Sequence, residues 1–281
     1  MNEWPLLIFT LSIQAAIGGI FMLWVFQFIN RRKNLDLQSL FKLPLIIIGA
    51  LSIIGLAASF AHLGAPMNAF NTIRHIASSW MSREILVTGI FIGLAVLNVA
   101  WLLYRKKVLP WLLLVTALVG FVDVYCMAAI YTHSLIGSWN SVNTFMSFYG
   151  TTFILGAILV VTLLTTSLYR KGLELEVKQF MRIALATALV GFGFHIIGTA
   201  LYTPEPTEIT IVSSTISASV MATYKFMTGT RWVASILGVT LLGYLTLSSY
   251  KRSYTILTIL TLLVFVLSEG MSRYGFYLIG S

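Results

Sequence analysis

Several ionisable side chains, among them His133 at the end of the fourth stretch, lie within or at the ends of long apolar stretches, where they could bind a polar ligand or transfer protons. His62 closes one stretch, Glu84 opens the next, and Asp123, His195 and Glu269 lie inside others. An ionisable group in a membrane-spanning segment is costly, so each position is a candidate functional residue. Histidine titrates near neutral pH, and a carboxylate withdrawn from water can also take up a proton there.

His62 and Glu84 are predicted to lie at the same end of neighbouring helices, joined by one loop. Gly55, Ser59 and His62 share a helical face whose small residues allow close packing, which predicts that His62 faces the bundle. A structural interpretation stays open for both residues. His62 could bond a loop carbonyl, and Glu84 could stabilise the first turn of a helix capped by Ser82.

The other polar positions allow either a proton path or a structural role. Asp123 lies near the middle of its stretch and could relay protons or join two helices. His195 lies near the outer end of the sixth stretch. Glu269 and Arg273 are four residues apart near the end of the last stretch, a spacing that predicts a salt bridge.

The surrounding elements are predicted to be about eight transmembrane helices in a single domain, residues 1–281. Only 10% of residues are charged, whereas soluble proteins have about a quarter. The apolar runs are continuous, which favours an all-α integral membrane protein over a barrel of alternating strands. The predicted helices cover residues 6–29, 44–62, 84–104, 109–133, 150–169, 179–200, 230–249 and 254–274.

The basic residues are distributed unevenly along the chain and predict its orientation. Most of the 18 lysines and arginines lie in or beside the short loops after the first, third, fifth and seventh predicted helices. The positive-inside rule then places both termini on the outer, periplasmic side. The longer loops, about 63–83, 134–149 and 201–229, also fall outside. Within the last, residues 209–224 could form a surface helix or a loop.

Charge and cysteine content exclude several other functions. The net charge of +9 does not indicate nucleic-acid binding, because the basic residues flank apolar runs. Cys126 is the single cysteine, so the protein can form neither an intrachain disulfide nor a thiolate-ligated iron–sulfur cluster. If the protein handles electrons, it does so with a bound small molecule or passes them to a partner.

Five segments in order carry a resemblance to a known family. They are Asn-Glu-Trp-Pro-Leu at 2–6, His-Leu-Gly-Ala-Pro-Met at 62–67, Ser-Trp-Met-Ser-Arg-Glu at 79–84, Ser-Trp-Asn-Ser at 138–141, and Glu-Gly-Met-Ser-Arg-Tyr-Gly-Phe-Tyr at 269–277. Together they resemble the membrane anchor subunit of dimethyl sulfoxide reductase. The resemblance spans nearly the whole sequence.

The resemblance implies an eight-helix anchor in the bacterial cytoplasmic (inner) membrane that serves anaerobic respiration. Such an anchor binds menaquinol, the substrate that it oxidises to menaquinone. It holds no haem, iron–sulfur cluster or molybdenum itself. It passes electrons to an iron–sulfur electron-transfer subunit, which feeds a molybdopterin catalytic subunit. The terminal acceptor is expected to be dimethyl sulfoxide or another S- or N-oxide, with selenate and related acceptors left open.

The resemblance also implies roles for individual residues. His62 would bond or deprotonate one quinol hydroxyl, and Glu84 would be the second proton acceptor or the proton exit. Arg83 would hold Glu84 or a partner surface, and Ser59 shares the face of His62. Asp123 matches no position of the family pattern.

Three alternatives remain open from the residues alone. A haem b anchor would need two histidines at similar depth, which His62 and His195 could provide. A secondary transporter would be expected to show internal repeats around a midplane site, and no repeat is evident. A proton-pumping anchor would need a chain of acids across the bilayer, for which Asp123 is the one candidate near the middle.

Overall fold

The computed structural model describes residues 4–62, 75–202, 218–248 and 254–279, with the backbone alone for residues 62, 218 and 219. Within these ranges there are eight long helices. They are α1 Trp4–Ile29, α2 Leu37–His62, α3 Trp80–Arg105, α4 Pro110–Thr132, α5 Val142–Arg170, α6 Glu174–Leu201, α7 Ala218–Leu247 and α8 Tyr254–Leu278. Each is long and apolar enough to cross a membrane, so the prediction of a multi-pass helical protein is confirmed.

The start of α3 differs from the predicted one, and this changes the surroundings of Glu84. Ser79 has an extended backbone and caps the helix, because its hydroxyl accepts a hydrogen bond from the Ser82 amide. The prediction that Ser82 is the cap is therefore wrong. Glu84 lies in the second turn, and the first turn contains no acid. The helix dipole stabilises charges mainly within the first turn, so it does not explain why a carboxylate stands at position 84.

Helices α1 and α5 form the centre of the bundle. The most apolar part of each is 72% buried within the protein, far more than in the outer helices α6, α7 and α8. The two central helices approach so closely that a Cβ added to Gly18 would lie 2.0 Å from the Thr152 carbonyl oxygen. Only glycine allows backbones to meet in this way, and such contacts are typical of helix pairs in lipid.

The two ends of the bundle differ in chemistry. At the end where α1 begins and α8 ends, here called the terminal face, the Trp139 indole N–H donates to the Phe276 carbonyl over 2.8 Å. At the opposite end, here called the basic face, Lys33 pairs with Glu176 and Lys171 pairs with Asp36. Both ends of the described chain thus lie at one face. That this face is periplasmic stays a prediction.

Two sequence predictions fall wholly or partly outside the described residues. Helix α7 begins at Ala218, twelve residues earlier than the predicted 230, so the end of the proposed surface stretch 209–224 belongs to α7. The first part of that stretch lies outside the described residues. The same holds for the side chain of His62 and for the remainder of its motif at 63–67.

Candidate functional site

A narrow cleft opens between α1, α2 and α3 near the terminal face, and it brings together two of the predicted site residues. Its polar lining consists of Ser59, Glu84 and Thr88, and its apolar lining of Phe9, Leu56, Phe60 and Ile85. We call it the α1–α3 cleft. The volume of the cleft is about 40 Å³, enough for a water molecule or a ligand hydroxyl group.

Ser59 enters the cleft because the small-residue face of α2 is turned toward α1. A Cβ on Gly55, one turn before Ser59, would lie 3.0 Å from the Ile13 side chain. The predicted close packing of this face is therefore present. The backbone of α2 ends at His62, one turn beyond Ser59. The role of the His62 side chain stays a prediction.

Glu84 has neither an ion-pair nor a hydrogen-bond partner within the described ranges. Its neighbours around the cleft are mostly aromatic and aliphatic side chains. A carboxylate held among apolar groups without a partner is costly. No described residue pairs with this carboxylate, whereas a ligand hydroxyl group can bond it and a proton can neutralise it.

Arg83 fixes the turn that leads into α3. Its Nε donates to the Ile76 carbonyl over 2.9 Å, and an Nη donates to the Ala77 carbonyl over 2.7 Å. The guanidinium also lies 4.2 Å from the Trp80 ring centroid. These contacts hold the backbone in front of α3 and do not include Glu84. The predicted direct support of Glu84 by Arg83 is not among the described contacts.

Asp123 lies behind the α1–α3 cleft and is joined to it by Thr88. The Thr88 hydroxyl donates to Asp123 Oδ1 over 2.7 Å, and Asp123 is completely buried. Its other oxygen, Oδ2, has no partner among the described groups. Thr88 also lines the cleft. Sequence reasoning missed Thr88, whose signal was a hydroxyl one turn after Glu84 on the same face.

A second polar cluster lies between α5, α6 and α8. Glu269 Oε2 lies 3.1 Å from His195 Nε2 and accepts a 2.6 Å hydrogen bond from the Thr151 hydroxyl. All three side chains are buried. The predicted salt bridge between Glu269 and Arg273 is wrong. The two residues share a helical face, but Glu269 meets α5 and α6, whereas Arg273 is directed elsewhere.

Arg273 reaches the central helices instead. One Nη donates to the Gln14 side-chain oxygen over 3.1 Å, and the guanidinium lies 3.5 Å from the Phe148 ring centroid. Arg231 on α7 is bonded to the Ser272 hydroxyl. Sequence reasoning did not single out Gln14 or Thr151 as partners. Both residues could have been noticed in the sequence, because each is a polar side chain within an otherwise apolar stretch.

The haem alternative needs His195 as an iron ligand, so the contacts of its ring nitrogens are relevant. Its Nε2, which would serve as an axial ligand, faces Glu269. Its Nδ1 is buried without a described partner. In the part of the protein that the structure describes, no three His, Cys, Asp or Glu side chains are close enough to hold a metal ion.

Comparisons with known proteins agree on one family. A family model described as the DMSO reductase anchor subunit (DmsC) matches residues 1–279. The C subunit of the anaerobic dimethyl sulfoxide reductase of Haemophilus influenzae is 28% identical over 287 positions, covering 99% of this protein and 94% of that one. Two Escherichia coli proteins each match over 58% of their own length and 58% of this sequence. They are the C subunit of anaerobic dimethyl sulfoxide reductase, at 34% identity, and the YnfH subunit, at 31%. No solved structure matches.

Proposed function

This protein belongs to the family of DMSO reductase anchor subunits, and on that premise we propose that it oxidises menaquinol at the α1–α3 cleft. The observation that carries the proposal is the position of Glu84. This carboxylate has no described partner and faces a largely apolar cleft. Ser59, which lines the same cleft, lies one turn before the end of α2 at His62.

Menaquinol oxidation requires two proton acceptors and an exit for two electrons. A hydroquinone that becomes a quinone releases two protons and two electrons. In this proposal His62 bonds one ring hydroxyl and accepts its proton, and Glu84 accepts the other. Phe9, Leu56 and Phe60 supply apolar contacts for the ring edge, and Ser59 can hydrogen-bond a ring oxygen. Arg83 contributes by fixing the turn before α3.

The electrons leave the anchor through partner subunits. We propose an iron–sulfur electron-transfer subunit as the direct acceptor and a molybdopterin subunit as the catalyst of terminal reduction. The names of the relatives support dimethyl sulfoxide as the terminal acceptor. A single cysteine cannot ligate a cluster, so the anchor needs a partner for electron transfer. The complex would lie in the bacterial cytoplasmic membrane and serve anaerobic respiration.

The test compares two electron donors in the intact complex. A menaquinol analogue must deliver electrons through the anchor, whereas a reduced viologen delivers them directly to the partner subunits. We expect His62→Ala and Glu84→Gln to lower menaquinol-dependent sulfoxide reduction by roughly 10²-fold or more, and to leave viologen-dependent reduction unchanged.

Matched controls are available in the same protein. His75 lies exposed after the segment that follows α2, and Glu174 is exposed at the basic face. His75→Ala and Glu174→Gln should retain both activities. Wild-type menaquinol turnover in both His62→Ala and Glu84→Gln would overturn the proposed site.

A further inference from the structure

We propose that Asp123 is an internal proton acceptor of the α1–α3 cleft, reached through the hydroxyl group of Thr88. The inference rests on the proposed function, because it assigns the route of one of the two protons released by the hydroquinone. Glu84 and Thr88 are one turn apart on the same face of α3. Together with Asp123 they form a polar wall that runs from the cleft into the bundle.

A hydrogen bond that only joins α3 to α4 does not need a carboxylate such as that of Asp123. Further along the same pair of helices, the Asn98 side chain donates to the Thr116 hydroxyl over 2.9 Å. That neutral pair already joins α3 to α4 without burying a charge. Asp123 introduces a carboxylate and leaves one of its oxygens unpaired in the interior. A polar clasp alone would favour a neutral side chain, because buried unsatisfied groups are costly.

The surroundings of Asp123 contain no described cation positioned to form a permanent ion pair. Helix α1 has no ionisable side chain between residues 4 and 29. On α3 the nearest ionisable residues are Glu84 and Arg83, and Arg83 is bonded to the preceding turn. On α4 the neighbouring ionisable residues are Tyr125 and Cys126, and on α5 the neighbour is Tyr149, whose hydroxyl donates to the Phe121 carbonyl. Among the described groups, a proton is therefore the charge that can neutralise this carboxylate.

The transfer step conserves protons and electrons. The ring hydroxyl that is not bonded to His62 gives its proton to Thr88 Oγ1, while the Thr88 hydroxyl proton passes to Asp123 Oδ1. Asp123 holds this second proton before Glu84 receives it. The O–H bond of the ring breaks, an O–H bond forms on Asp123, and Thr88 is neutral before and after. The two electrons go to the iron–sulfur partner subunit. Because Asp123 is completely buried, its proton returns through Thr88 to Glu84 and leaves at the cleft.

The experiment uses the intact complex with the menaquinol analogue and the viologen as donors. Asp123→Asn keeps the shape and a hydrogen-bonding group but cannot accept the proton. We expect menaquinol turnover to fall at least about tenfold. Viologen-dependent turnover should be unchanged. Thr88→Val should have the same effect, and Thr88→Ser, which restores the hydroxyl, should retain activity.

The control and the contrary outcomes separate this inference from the proposed function. Thr116→Val removes the neutral clasp and should leave menaquinol turnover and its pH profile unchanged. If Glu84→Gln is inactive with menaquinol while Asp123→Asn retains wild-type turnover at every pH, this inference fails and the proposed function stands. Equal losses with both donors in Asp123→Asn, or equal activity of Thr88→Val and Thr88→Ser, would also overturn it. Wild-type turnover in Glu84→Gln and His62→Ala would overturn the proposed function instead.

Discussion

Gly18 on α1 and Gly156 on α5 lie in direct backbone contact, so that a Cβ on Gly156 would lie 2.2 Å from the Gly18 carbonyl carbon. Neither backbone can yield without separating the two central helices. The contact therefore determines how closely α1 and α5 pack, and with them the helices that surround the cleft.

Gly156→Ala is expected to destabilise the bundle by about 1–3 kcal/mol or more, because overpacking forces the helices apart. Gly93→Ala is the matched control, since a Cβ there meets nothing within 4 Å. It should be neutral or stabilise the helix by up to about 1 kcal/mol. Thermal unfolding of the two variants in the same detergent measures the difference. Equal melting temperatures would contradict the close contact.

His195→Ala is expected to cost about 3–5 kcal/mol, because it leaves Glu269 buried without its partner on α6. Lys171→Met is the control at the basic face, where its partner Asp36 is largely exposed and the cost should be about 0–1 kcal/mol. Unfolding in detergent compares the two. If the double variant His195→Ala with Glu269→Ala is no more stable than His195→Ala alone, the cost does not come from the unpaired carboxylate.

Asp36 should make stability depend on pH in the acid range. Its pKa is lowered from 3.8 to about 2, because its carboxylate accepts hydrogen bonds from Lys171 and Ser39. A lowered pKa stabilises the folded state above about 3.8, and this contribution is lost as the pH falls through about 2. The melting temperatures of the wild type and Asp36→Asn should therefore converge over that interval. A constant difference would show that the carboxylate charge is not involved.

Cysteine labelling can determine the orientation in the membrane. Cys126 is the single cysteine and is buried, so Cys126→Ser provides a clean background. Leu135 is 99% exposed at the terminal face, and Lys107 is exposed at the basic face. In that background, Leu135→Cys should react with a membrane-impermeant maleimide in intact cells, whereas Lys107→Cys should react only after permeabilisation. The reverse pattern would invert the predicted topology.

Hydropathy was sufficient to predict the eight helices, because each span needs about 20 consecutive apolar residues. Helix ends depend on single capping contacts, so the α3 cap at Ser79 was missed. The Glu269–Arg273 spacing indicated a shared helical face correctly. It could not reveal that α5 and α6 partner Glu269 whereas α1 partners Arg273, since these contacts depend on how helices far apart in sequence pack.

The candidate site could also be predicted only in part from the sequence. Ser59 and Glu84 lie near helix ends joined by one loop, so their proximity followed from the order of the spans. The contact between Thr88 and Asp123 depends on the rotation and relative height of α3 and α4. Neither quantity is encoded in the local spacing of polar residues.

The hydrogen bond between Gln14 and Arg273 joins residues 259 positions apart, near opposite ends of the sequence. At roughly 5–20 residues per second, ribosomes need on the order of tens of seconds between synthesising the two. During that time α1, one of the two most deeply buried helices, presents an unpaired amide to lipid or to the insertion machinery. This bond at the centre of the bundle therefore forms only after the last helix has been synthesised and inserted.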